Sequence, residues 1–378
     1  MSTPVWLDVD PGHDDAFAIL LAAYNPKVSL LGISTVHGNA SLYHTTQNSL
    51  RIAEALGLPH VPIYAGSSKP LQRDAVHAAT IHGESGLDGT TLLPKATRSA
   101  MEDADFVEAI YSSLIKTPPK TAWLVATGTL TNAAKVIQAH PDLADHLAGF
   151  SLMGGAVGGG FTDAPLGTVK GEGERFGNWT PFAEFNIYCD PEAAHFLLSH
   201  PVLAPKTVIM PLDLTHQVLG TVEVQSKLLG VDVPMKHGNV PTGLPTPIRA
   251  LYYEIMTFFA KTYADEFALV DGPPLHDPLA VAAAFEPNLF VDHGERFTVE
   301  VVTQGVHKVN MLHGSEMEGV GQLGRTIVKK TENGAPGVRI PRTLDVPRFW
   351  DMIDAALTNA EKTSPLAALG PEWWDTRF

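Results

Sequence analysis

Val5-Trp6-Leu7-Asp8-Val9-Asp10-Pro11-Gly12-His13-Asp14-Asp15-Ala16-Phe17-Ala18-Ile19-Leu20-Leu21 opens on an apolar run, crosses four carboxylates around a Pro-Gly break, and resumes as an apolar run at helical spacing. Val5, Leu7 and Val9 read as a buried strand that Pro11-Gly12 ends. Asp14 and Asp15 fall where a helix N-terminus attracts negative charge, and Ala16, Ile19 and Leu20 supply that helix's apolar face. Acidic side chains packed this closely repel one another unless they spread into water, hold protons or share a cation. Oxygen donors without Cys or clustered His suit Ca²⁺ or Mg²⁺ rather than zinc. A plain acid-capped helix start in water is the competing reading.

Downstream, strand-like and helix-like segments alternate. Val28 to Val36 is an apolar run that leads through His37-Gly38-Asn39 into a helix over Ser41 to Leu56. Val61 to Ala65 reads as a strand, and Lys69 to Pro94 as a long polar loop carrying His82-Gly83-Glu84-Ser85-Gly86-Leu87-Asp88-Gly89. Ala104 to Ile115 reads as helix, Ala122 to Ala126 as strand, Asn132 to Gln138 as helix and Phe150 to Met153 as strand; Val208 to Leu212 and Phe297 to Val302 are later strands. This order predicts an α/β fold, a single domain with a mostly parallel central sheet flanked by helices, Rossmann-like in layout. Ligands of such sheets sit beyond the carboxyl ends of the strands. Asp10, Asn39, Thr127 and Met153 each fall at or just past the end of an apolar run, where they could meet.

Composition narrows the function. Of 378 residues, 44% are hydrophobic and 18% charged, enough apolar material for a large core. A net charge of −15 opposes a nucleic-acid backbone or an anionic membrane as partner. A single cysteine, Cys189, rules out an intrachain disulfide framework and fits a reducing compartment. With no signal-like segment and no apolar run near the ~20 residues of a membrane helix, a soluble cytoplasmic protein is expected. Gly154-Gly155-Ala156-Val157-Gly158-Gly159-Gly160 lacks the Gly-Lys-Ser/Thr ending of a phosphate loop and reads as a mobile active-site loop.

The run Asp8-Val9-Asp10-Pro11-Gly12-His13-Asp14-Asp15-Ala16 resembles the N-terminal signature D-x-D-P-G-x-D-D-A of the inosine–uridine-preferring nucleoside N-ribohydrolases. Further matches follow in order: Thr127-Gly128-Thr129-Leu130-Thr131-Asn132, Gly177-Asn178 with Glu184-Phe185-Asn186, and His276-Asp277-Pro278-Leu279-Ala280. The resemblance implies one nucleoside hydrolase domain over residues 1–378. It implies Ca²⁺ held by Asp10, Asp15, the Thr127 carbonyl and Asp277, and a ribose held by Asn39, Met153, Asn178, Glu184 and Asn186. In this reading Asp14 also touches the substrate and is the general base toward a metal-bound water, and His276 protonates or hydrogen-bonds the departing base. The small-molecule partner would be a ribonucleoside, and the assembly a homodimer or homotetramer. On its residues alone, Asp277 before Pro278 equally fits a helix N-cap, and each Asn a turn.

Such residues suit such chemistry. Six to eight oxygens surround Ca²⁺, so carboxylates and one carbonyl leave room for water and sugar hydroxyls. Cleaving an N-glycosidic bond builds positive charge on the ribose, which nearby carboxylates stabilise. Tyr252, Tyr253, Phe258, Phe259 and Tyr263, within a base-recognition region over Val231 to Tyr263, could stack on a nucleobase or fill core. Uridine, inosine and nicotinamide riboside all stay open as substrates. The stretch between Met153 and Asn178, with Glu172, Glu174 and Arg175, is longer than in the family's shorter members, and Gly314 to Gln322 reads as another insertion. Two other readings compete. Asp8-Val9-Asp10 also resembles the nucleophile motif of haloacid-dehalogenase-like phosphatases, although Gly12 stands where that motif wants Thr or Val; and a catalytically silent nucleoside-binding protein would keep the same ligands.

Overall fold

The computed structural model describes residues 2–101, 105–173, 175–230, 244–309, 318–370 and 373. Six strands form its main sheet: β1 (Thr3–Val9), β2 (Val28–Thr35), β3 (Ile63–Ala65), β4 (Trp123–Ala126), β5 (Gly149–Met153) and β6 (Thr207–Met210). All pair in parallel, in the order β3-β2-β1-β4-β5-β6. The strand order reverses between β1 and β4, and a doubly wound sheet opens a crevice at that point, beyond the strands' carboxyl ends.

The strands are short, apolar and covered on both faces, as parallel strands must be. In β1, Val5, Leu7 and Val9 point into one core, together with Phe17, Ile19 and Leu20 of the His13–Tyr24 helix and much of the Asp277–Phe285 helix. Trp6 points to the opposite core, with Leu124, Phe150 and Leu152, as the two-residue period of a strand dictates. Asp8 shares the Trp6 side. There its carboxylate accepts from Ser34 Oγ at 2.5 Å and Asn132 Nδ2 at 2.8 Å, and burial pushes its pKa up to about 7.

Caps set the helix limits. Ser41 Oγ accepts from the His44 N–H at the start of Leu42–Leu56, and Gly57, at φ 71°, closes that helix in the left-handed region. Expected elements shift by a residue or two at their ends, where helices fray and strands lose pairing. Larger differences have causes. The strand expected over Phe297 to Val302 forms as Phe297–Val301, but it pairs antiparallel with Thr326–Lys330 outside the main sheet. Its exposed Thr298 and Glu300 alternate with buried neighbours, a pattern for a sheet covered on one face. The loop over Lys69 to Pro94 contains a short helix, Ala79–His82. Asp277 is the first residue of its helix, and His276 holds the N-cap position instead.

The Gly154 to Gly177 stretch is tethered where described. Asp213 accepts from the N–H groups of Val157 and Gly158 at 2.7 and 2.9 Å. Buried Arg175 pairs with Glu172 and donates to the Gly177 carbonyl. Glu174, residues 231–243 of the expected base region and residues 314–317 of the second insertion lie outside the described residues.

Candidate active site

Four acidic side chains converge at the switch point. Asp14, Asp15 and Asp277 bring carboxylate oxygens within 4.8 Å of one another, all buried. Asp15 accepts from Gly12 N at 3.0 Å, Asn39 Nδ2 at 3.2 Å and Thr127 Oγ1 at 2.7 Å. Asp10 Oδ2 accepts from Asn39 N at 2.8 Å, whereas Asp10 Oδ1 is buried and, among the described residues, has no partner. A Cβ at Gly38 would fall 1.9 Å from Asp10 Oδ2, and one at Gly128 2.5 Å from Oδ1, so bare backbone lets the chain close around this carboxylate.

This arrangement is costly as it stands. Burial, then the charge of Asp15, pushes Asp14 up to about 7. Asp10 and Asp277 are driven well above the carboxylate range by burial and then by neighbouring carboxylates, and burial raises Asp15 as well. A divalent cation among these oxygens reverses the repulsion. The donor set is all oxygen, it includes an unpartnered buried carboxylate atom, and it could hold a metal ion.

Beside the acids lies a cleft. Every residue expected to bind metal or sugar lines it except Asp10 and Asp15. Asn186 Nδ2 donates to the Thr127 carbonyl at 2.8 Å and to the Met153 carbonyl at 3.2 Å, tying the ends of β4 and β5 together. Glu184 caps the Phe185–Cys189 helix, accepting from Asn186 N, Ile187 N and Gly155 N. Burial outweighs those bonds and lifts Glu184 to about 7. Asn178 Oδ1 accepts from Phe185 N at 2.9 Å.

The other end of the cleft is aromatic. Phe259, Tyr263 and Phe267, four residues apart on the Pro247–Phe267 helix, face it together with Trp179 and Phe185. Tyr252 does not: it packs edge-on against Phe17 in the core and donates to the Ala16 carbonyl at 3.0 Å. Phe258 stacks on His13. The Tyr263 hydroxyl lies 2.8 Å from His276 Nε2, and Thr215 Oγ1 lies 2.7 Å from His276 Nδ1. Burial holds the His276 imidazole well below its usual range and the Tyr263 phenol well above its own, so both stay uncharged.

Two residues at or beneath the cleft carry no local signal. His82 lines the cleft and touches buried His13, yet in sequence it is one polar residue in a long loop. Burial pushes His82 well below its ordinary pKa and His13 down to about 4. Asn132, quoted above only within a motif, bridges Asp8, the Thr35 carbonyl and Ser67 N beneath the site.

A doubly wound sheet whose switch-point cleft has an acid-and-amide end and an aromatic end suits a ligand with a hydroxylated half and a flat half. The chain belongs to the inosine-uridine preferring nucleoside hydrolase family, whose sequence profile matches residues 5–351. It is therefore a nucleoside hydrolase. Uridine nucleosidase of Saccharomyces cerevisiae is 33% identical over 374 residues, covering 96% of this chain and 98% of the yeast protein. A pyrimidine-specific ribonucleoside hydrolase, RihA of Escherichia coli, is 36% identical over 311 residues, covering 82% of this chain and 88% of its own. Among solved structures, the purine-preferring ribonucleoside hydrolase from Gardnerella vaginalis matches with a TM-score of 0.74 at 27% identity, over 95% of this chain and 99% of that one. Membership sets aside the phosphatase reading, and the geometry agrees: Asp8, its required nucleophile, is bound to Ser34 and Asn132 away from the cleft. No described helix is long and apolar enough to cross a membrane.

Proposed function

We propose that this chain hydrolyses the N-glycosidic bond of pyrimidine ribonucleosides, uridine first, with Ca²⁺ as cofactor. One observation carries the reading: a single cleft joins a carboxylate-and-amide end to an aromatic end, the polarity split of a nucleoside. The pyrimidine preference follows the names of the yeast and E. coli relatives, at 33% and 36% identity.

Asp10, Asp15, Asp277 and the Thr127 carbonyl would hold the cation. When bound, it supplies orientation of the sugar's 2′ and 3′ hydroxyls and a lowered pKa for water. Asn39, Asn178, Glu184, Asn186 and Met153 surround the ribose, and their fixed donors and acceptors orient a polyhydroxylated ring. Asp14 takes the proton from the water that attacks C1′. Buried carboxylates stabilise the oxocarbenium-like charge on the sugar. At the aromatic end, Tyr263 keeps its proton and hydrogen-bonds the departing base, while His276 orients that hydroxyl from 2.8 Å away. The whole chain acts as one domain in a cytoplasmic homodimer or homotetramer.

The test is release of free base and ribose from uridine, cytidine, inosine, adenosine and nicotinamide riboside, with and without a chelator. Fastest release of uracil, lost on prolonged chelation and restored by Ca²⁺, is expected. No release from any nucleoside by the Ca²⁺-loaded protein would overturn the reading.

A further inference from the structure

Glu172 and Arg175 form a buried ion pair that the roles above leave unused. Their side chains are 6% and 2% exposed, and Arg175 Nη2 and Nε both donate to Glu172 Oε2, at 2.5 and 2.9 Å. An ion pair removed from water this far is weak support for a fold, because lost hydration offsets the attraction. The remaining guanidinium nitrogen points to another role. Nη1 donates to the Gly177 carbonyl at 2.8 Å and makes a longer, 3.4 Å contact with the Thr180 carbonyl.

Those two residues bracket Asn178 and Trp179, which line the cleft. Backbone bonds close the rest of the turn. The N–H groups of Phe176 and Gly177 donate to the Pro181 carbonyl, and those of Trp179 and Thr180 to the Ala183 carbonyl. The peptide that joins Gly177 to Asn178 has its carbonyl held by Arg175. A Cβ at Gly177 would fall 2.3 Å from the Ala183 oxygen, so no side chain can stiffen this least restrained of residues. Asn178 Oδ1 accepts from Phe185 N at 2.9 Å, which leaves Nδ2 as the group that can donate. The Asn178 side chain meets the Tyr263 hydroxyl, and Tyr263 also lines the cleft. We propose that Arg175 is a positioning residue for sugar binding. It holds the Gly177–Asn178 peptide so that the Asn178 amide is set for a ribose hydroxyl, and Glu172 holds Arg175. The inference rests on the nucleoside reading of the cleft, in which Asn178 binds sugar.

The test separates geometry from stability. In Glu172→Gln the guanidinium keeps an acceptor and its carbonyl contacts but loses the Glu172 charge, so the melting temperature is expected to fall while KM for uridine stays within about twofold. Glu172→Met combined with Arg175→Met removes both charges at similar volume, so the melting temperature is expected to stay near that of the wild type. In that double variant KM for uridine and the inhibition constant of D-ribose are expected to rise about tenfold, the worth of one hydrogen bond. The kcat should change less, and Ca²⁺ affinity by calorimetry should not change. Arg175→Lys keeps a positive charge beside Glu172 but lacks the fork that reaches the carbonyls as well. The same rise in KM is expected there, and this variant carries the test if the double variant does not fold. An unchanged KM in folded Arg175→Lys, or KM values that simply follow melting temperature across the set, overturns the role of Arg175 and leaves the nucleoside reading standing. A wild type inactive on every nucleoside overturns that reading, and this role falls with it.

Discussion

Asp14 and Asp8 lie six positions apart in one acidic run, yet the structure gives them opposite tasks. Asp8 is inside β1, facing the Trp6 side, and holds Ser34 and Asn132. Asp14 follows the turn and reaches the cleft. Substituting Asp14 by Ala removes the proposed base and one of several mutually repelling buried carboxylates. Turnover is expected to drop about 10³-fold, with the melting temperature unchanged or higher; steady-state base release and thermal denaturation check the two halves. Full activity would take Asp14 out of the mechanism. The D-x-D-P-G-x-D-D-A signature marked the acids as a group. Which of them face the cleft and which brace the sheet depends on strand pleat and on neighbours distant in sequence.

The Pro247–Phe267 helix shows the same limit for an element. Its aromatics include both core and cleft residues, because the helix is buried on more than one side. Phe259, Tyr263 and Phe267 share a stripe through the helical repeat, but nothing local says that this stripe, and not the one through Tyr252, lines the cleft. The Gly-rich segment is the converse. Its composition suggests freedom, and a distant carboxylate supplies restraint: Asp213, just past β6, accepts from Val157 and Gly158. Asp213→Ala leaves those two N–H groups without that partner and is expected to destabilise the protein by about 2 kcal/mol. Limited proteolysis should then cut faster within residues 158–173 than in the wild type. Equal cutting rates would show that the segment is held by other contacts.

Across the molecule, buried acids and buried histidines set opposing dependences on pH. His13 at about 4, His37 at about 3 and His216 at about 4 are depressed by burial. Between those values and the unfolded histidine pKa of about 6.5, the unfolded chain binds more protons, so these groups make stability rise with pH. Asp8, Asp14 and Glu184, each near 7, do the reverse: the folded chain holds their protons, and their contribution is lost as pH rises through about 7. Above about pH 6.5 the histidine contribution is complete and the carboxylates dominate. The chelated protein is therefore expected to melt at a lower temperature at pH 8 than at pH 6.5, and Ca²⁺ to stabilise it more at the higher pH. A chelated protein that melts higher at pH 8 would contradict the buried acidic cluster.

The amino-acid sequence by itself determined the alternation of strands and helices, the acidic turn after β1 and the residues expected to hold metal and sugar. Those features are written in local periodicity, in turn residues and in short motifs, which act over a few neighbours. Tertiary structure decided the strand order that places the ends of β1 and β4 side by side, the sorting of the aspartates, the aromatic stripe at one end of the cleft and the His13–His82 pair. Each of these is a contact between residues far apart in the chain, and packing around the two faces of the sheet selects them.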